Sequence, residues 1–204
     1  VKKTRFNAYD SSLRAGLIAI KLNDDDSLVE VIPTHGVFDI LLSSRLGQTI
    51  RFSEDNVREM GRNAAGVIGL KFKKDGDDVV ACDIAREGAT LLHITQRGYG
   101  KRTPVEEYPR KGRGGQGVIG IKVTEEKGEV VGTLVVDDDD EILAATTGGV
   151  LLRTRVSDIS VQGRSASGVK VMSPDDGDVV ASVALVSVSD ELDDEPAEGT
   201  DAER

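Results

Sequence analysis

Three arginines at equal spacing are the residues of this chain best suited to chemistry. Arg62, Arg113 and Arg164 stand 51 residues apart, and each follows a glycine: Gly61, Gly112 and Gly163. A guanidinium stays charged at any physiological pH and presents a planar fork of donors. Glycine beside it lets backbone N–H groups approach an anion closely, and a string of such donors forms an anion-binding nest. The chemistry on offer is the holding of oxyanions at several places in a row. Other bases gather in the same phase: Lys2, Lys3 and Arg5; Arg51 and Arg58; Lys101, Arg102, Arg110 and Lys111; Arg153 and Arg155. Because each copy repeats the charge, the function belongs to the array rather than to one unit.

The elements that must position these bases repeat with them. Four residues after each arginine a glycine opens an apolar run, at Gly66, Gly117 and Gly168, and a fourth copy starts at Gly16 without the Gly-Arg pair. Arg51, Arg102 and Arg153 recur with the same 51-residue spacing at strand ends. A fixed period of this size means one supersecondary unit stacked several times. One copy predicts strands over 117–123, 130–136, 142–146 and 150–154, with Gly148-Gly149 as a tight hairpin. Four short strands and no helical period predict an all-β, propeller-like disk of four-stranded blades. The connections 103–117 and 154–168 hold the bases, and Pro104, Pro109 and the glycines predict ordered loops there. Three complete units and parts of two more predict the last four or so blades of a larger disk, over residues 1–189.

Composition agrees with a β-rich core of Val, Ile, Leu and Ala, since aromatics are 3% and Trp is absent. The net charge of −10 divides unevenly: residues 190–204 carry eight acids and one base, leaving −3 for the rest. Past Leu192 that tail has no large apolar residue, so a disordered, solvated acidic tail is expected. Within the body, acids cluster at Asp24–Asp26, Asp75–Asp78, Glu125–Glu129 and Asp175–Asp178, each after a Gly-led strand. A near-neutral body is thus expected to carry a basic edge and an acidic edge.

An enzyme site is hard to assemble. His35 at a turn and His93 within an apolar run read as structural, and Cys82 reads as a small buried thiol. One cysteine excludes an intramolecular disulfide and fits a reducing cytoplasm. The acid clusters lack the spacing of a calcium loop, and residues 112–117 are not followed by Lys-Ser/Thr as a nucleotide loop requires. No apolar stretch approaches the roughly 18–20 residues of a membrane span. No cofactor, metal or membrane partner is expected.

One connection carries a family resemblance. Gly98-Tyr99-Gly100-Lys101-Arg102-Thr103-Pro104-Val105-Glu106-Glu107-Tyr108, followed by Lys111-Gly112-Arg113-Gly114-Gly115-Gln116-Gly117-Val118, resembles the C-terminal domain of the bacterial DNA gyrase A protein. That family's domain is a β-pinwheel, a DNA-wrapping disk whose neighbouring blades exchange strands. Its signature box is Gln-Arg-Arg-Gly-Gly-Lys-Gly. Here Arg113, Gly114, Gly115 and Gly117 match it, while Lys111, Gly112 and Gln116 depart. The related C-terminal domain of topoisomerase IV is the nearest alternative.

The resemblance implies double-stranded DNA as partner, with the rest of the gyrase A protein and the ATPase subunit in a heterotetramer. It implies ATP-dependent negative supercoiling by the parent enzyme, whose cleaving tyrosine lies upstream; Tyr9, Tyr99 and Tyr108 are not in that context. The bases placed on the DNA are Lys3, Arg51, Arg62, Lys101, Arg102, Arg110, Lys111, Arg113, Arg153 and Arg164, together with Gly114 and Gly115. Duplex DNA carries about one charge per 1.7 Å, so a curved basic rim can neutralise phosphates without reading bases. Two alternatives stand beside this: Gly66, Gly117 and Gly168 as mere strand starters after tight bends, and Arg51, Arg102 and Arg153 as salt bridges across blades. A protein-interaction disk without a nucleic-acid role is the rival from another class.

Overall fold

The computed structural model describes residues 1–11 and 16–186, so the acidic tail lies outside the described residues. Eleven strands and four single-turn 3-10 segments make up the regular structure, with no α-helix among the described residues. In chain order the strands are β1 Asp39–Ser44, β2 Gln48–Ser53, β3 Val79–Ala85, β4 Thr90–Thr95, β5 Tyr99–Pro104, β6 Val118–Ile119, β7 Val130–Val136, β8 Glu141–Thr146, β9 Leu151–Arg155, β10 Val169–Lys170 and β11 Val180–Leu185.

All named pairings are antiparallel, and they build three sheets: β3-β1-β2-β6, β10-β5-β4-β7 and β11-β8-β9. The four strands of one 51-residue copy therefore do not make one blade. In the copy that starts at Gly117, β6 joins the first sheet, β7 the second, and the β8–β9 hairpin the third. Each hairpin anchors a blade, and later copies supply its flanks, two in the first and second sheets and one in the third. The Gly-led strand is also shorter than the sequence suggests, two residues at β6 and at β10.

Hydrophobic alternation explains the stacking. On β1, Leu41 faces one side with Leu91, Val105, Tyr108 and Val135, while Ile40 and Leu42 face the other with Ile50, Phe52, Val57 and Leu70. The second and third sheets share a core of Leu92, Ile94, Val136, Ile142, Ala144, Val156 and Met172. Burying each of these larger side chains stabilises by roughly 1.5–3 kcal/mol, a gain no single blade obtains alone. The third sheet has its far face open, and β9 alternates between exposed and half-buried residues.

The glycines that open the apolar runs are conformationally required. Gly66, Gly117 and Gly168 have φ of +92°, +65° and +77°, and a Cβ would lie 2.4–2.7 Å from a backbone carbonyl oxygen at each. After each hairpin the chain makes a 3-10 turn, at Glu54–Asn56, Val105–Glu107 and Val156–Asp158, and then runs into the basic loop.

Candidate nucleic-acid interface

The loops 61–66, 112–117 and 163–168 lie in the same phase of three successive copies. Two close with the same turn, Ala64 N–H to Gly61 O and Ala166 N–H to Gly163 O, both 3.1 Å. The middle loop uses its extra glycines instead: Gly114, at φ +77°, donates its N–H to Gly69 O at 2.7 Å, and Gly115 O accepts from Lys71 N–H at 2.9 Å. The Gly114 amide is thus engaged within the protein. The loop arginines brace the copy before them. Arg62 donates to Ile18 O at 2.9 Å, and Arg113 donates to the equivalent Ile68 O at 2.6 Å and to Asn56 O at 3.0 Å. A carbonyl orients a guanidinium without neutralising it, so both keep a full charge at the surface. The Arg164 guanidinium has no partner among the described residues, although its backbone N–H lies 3.4 Å from Glu107 Oε2. Lys111 is exposed, and among the described residues its ammonium reaches only Gly117 O, at 3.4 Å.

The other candidate bases are placed differently. Asp39 receives two arginines, Arg51 at 2.9 Å and Arg110 at 2.8 Å. Lys3 sits 3.8 Å from both Glu54 and Asp55, and Arg153 donates to Glu141 at 2.6 Å. Arg102 is 5% exposed, donates to Ile159 O at 2.7 Å and ion-pairs with Asp138. Lys101 is fully buried, and its ammonium donates to Thr103 Oγ1 at 2.7 Å, Gly163 O at 2.8 Å and Arg164 O at 3.1 Å. Burial, with a smaller push from Arg164, lowers its pKa to about 8 against the pull of Glu107. Lys101 and Arg102 therefore lie inside, where they support the 154–168 connection from below. Two further cations, Lys127 and Lys170, gather on Tyr99, with Arg97 on the adjoining turn, off the 51-residue phase, where no periodic signal could point to them.

Of the remaining reactive side chains, His93 is locked in the interior, Cys82 is half-buried rather than fully buried as its sequence context predicts, and His35 is exposed. His93 on β4 is fully buried toward the first sheet, 3.4 Å from Thr49 Oγ1, and burial and then Lys101 lower its pKa to about 3. It stays neutral in the folded chain while the unfolded chain takes up a proton near pH 6.5. The unfolded state then binds more protons, so folding stability should fall as pH drops below 6.5, approaching about 1.4 kcal/mol per pH unit below about pH 6. Urea titrations between pH 7 and 5 should show this slope in the native chain and lose it in His93→Gln. An unchanged slope in the variant would reject the assignment. Cys82 is pushed up to about 12, chiefly by burial, which removes it as a nucleophile. Among the described residues no group of three or more His, Cys, Asp or Glu could hold a metal, and no helix is long and apolar enough to cross a membrane.

Blades that exchange strands around fixed hairpins, with glycine-arginine loops in phase, define an all-β, propeller-like repeat domain. Comparison with known proteins supplies the family. The model of the DNA gyrase C-terminal domain, a β-propeller, matches residues 1–35, 39–86, 90–137 and 140–187, and the chain belongs to that family. The DNA gyrase A protein of Salmonella typhimurium is 47% identical over 201 residues, 98% of this chain. Its Escherichia coli counterpart is 44% identical over 204 residues, all of this chain. The chain spans 23% of the length of either relative. Among solved structures, a DNA gyrase A C-terminal domain superposes with a TM-score of 0.78 at 33% identity, covering 84% of this chain and 58% of that one. A DNA topoisomerase IV C-terminal domain gives 0.85 at 28% identity, covering 91% and 58%.

Proposed function

We propose that this chain binds duplex DNA along its loop edge and wraps it, as the C-terminal part of a gyrase A protein. The observation that carries the reading is the run of four consecutive family matches, which coincides with the blades bearing the in-phase arginines. Phosphate contact at Arg62, Lys111, Arg113 and Arg164 would track the backbone without reading sequence. Bending a duplex costs several kcal/mol, on the order of 1–6 for a short site, so contacts must be spread over several blades. Holding the duplex in a bend of one hand would present the next segment to the parent enzyme's gate and favour negative supercoiling. The chain's partners would be the remainder of the gyrase A protein and the ATPase subunit, in the cytoplasm. The fragment itself would supply no catalytic group and need no cofactor.

Two observations favour other readings. The TM-score of 0.85 to a topoisomerase IV domain supports that enzyme as the parent. The ion pairs of Arg51, Arg102, Arg110 and Arg153 support a protein-interaction disk. Sealing a nicked plasmid with ligase in the presence of the chain separates wrapping from the interaction disk. A shift of linking number in one direction, growing with protein, is expected for wrapping. Binding without a shift would reject wrapping, and no binding at low salt would favour the interaction disk.

A further inference from the structure

We propose that Lys127 and Lys170, gathered on Tyr99, and Arg97 on the adjoining turn form a second clamp for a DNA phosphate, outside the phase of the repeat. This inference rests on the DNA-binding reading above. Tyr99 opens β5, and two ammonium groups lie against its ring, Lys170 Nζ 4.4 Å and Lys127 Nζ 4.7 Å from the centroid. The negative face of the ring attracts both and holds them near one another. Lys127 also donates to Ser167 Oγ at 2.9 Å and to Gly168 O at 2.8 Å, which ties the group to the loop that carries Arg164. Arg97 packs its stem on the turn beside Lys127: its Cγ would lie 3.3 Å from a Cβ placed at Gly128. Its backbone carbonyl is 3.5 Å from Lys170 Nζ.

The three charges contrast with the bases that form ion pairs. Arg51, Arg110 and Arg153 each hold a carboxylate, whereas Arg97, Lys127 and Lys170 have none within ion-pair distance among the described residues. Glu125 and Glu126 flank Lys127 in its turn without pairing with it, and Glu129 turns to Arg45 at 3.7 Å. Like charges kept together without a counter-ion raise the local potential and cost stability unless an anion arrives.

The fold does not need them. One period away, the place of Tyr99 is taken by Gln48 or Val150, that of Lys170 by Ile119, that of Lys127 by Gly76 or Asp178, and that of Arg97 by Leu46 or Gly148. In the first sheet Gln48 does the structural work with neutral groups, accepting from Lys73 N–H at 2.9 Å and donating to Gln116 O. The second sheet has an aromatic with two cations on its ring and a third on the adjoining turn at the equivalent place, continuous with the Arg164 loop. The ligand that fits is the phosphodiester backbone of a duplex crossing that loop.

The test measures affinity of the 204-residue chain for a mixed-sequence duplex as a function of salt. Arg97→Gln and Lys170→Gln, both exposed, should each reduce the slope of log K against log salt by about 0.9, and the pair by about 1.8. The loss should be the same for different duplex sequences. Tyr99→Leu should weaken binding, whereas Tyr99→Phe, which keeps the ring face, should bind as the native chain does. Unchanged slopes in the double variant, with native binding intact, would overturn the clamp and leave DNA binding standing. A lowered urea midpoint with an unchanged slope would assign the residues a structural role and also overturn it. Failure of the native chain to bind duplex at low salt would overturn the DNA-binding reading, and the clamp with it.

Discussion

Affinity for a duplex of mixed sequence should fall about a thousandfold when salt is raised from 50 to 200 mM. Arg62, Lys111, Arg113 and Arg164 pair with no carboxylate among the described residues, and Arg97 and Lys170 add two more such charges. Six phosphate contacts at about −0.9 each give a slope near −5, and a fourfold change of salt then costs roughly three decades. A slope near zero would reject phosphate tracking along the loops. The acidic tail should oppose the same contacts, because a net −7 over residues 190–204 is tethered to a chain whose loops are basic. Removing those residues should tighten binding, most at low salt, where the two polyanions compete least screened. Equal affinities with and without the tail at low salt would dismiss that competition.

Gly98→Ala should destabilise the chain by about 3 kcal/mol or more, while Gly88→Ala costs only about 1 kcal/mol. The two glycines have nearly the same backbone, φ +75° and +77°, so the left-handed strain is shared. They differ in space. A Cβ at Gly88 meets nothing within 4 Å, whereas one at Gly98 would lie 2.1 Å from Met172 O. Met172 cannot simply retreat, because Val171 and Met172 both donate to Gly98 O, at 2.8 and 3.0 Å. That contact docks β10 on the β4–β5 hairpin, and the Arg164 loop and Lys170 travel with β10. Native domains are stable by only about 5–15 kcal/mol, so the loss should be plain in urea unfolding. It should also weaken DNA binding more than Gly88→Ala does. Equal midpoints for the two variants would show that the crowding relaxes at little cost.

Much of this was decided by the order of residues alone. The 51-residue period, the hairpins around Gly47, Gly98 and Gly149, and the basic connections are local patterns. Strand alternation and turn chemistry act over a few residues and can be seen without knowing the partner. Which sheet a strand joins is another matter. β7 follows β6 by eleven residues yet pairs in a different sheet, because an alternating strand carries no mark of its neighbour. The fate of the bases is equally non-local. Arg102 and Arg113 both look like rim cations in the sequence. The parallel bridge that lays Arg102 against Val161 buries the first, while the second reaches across to Ile68 O at the surface. Tyr99, Lys127 and Lys170 come from three different copies of the repeat, so only the exchange of strands brings them together. Periodicity thus set where charge could recur, and tertiary packing decided which charges reach solvent. Burial and ion pairing depend on atoms far away in the chain, and no local pattern encodes them.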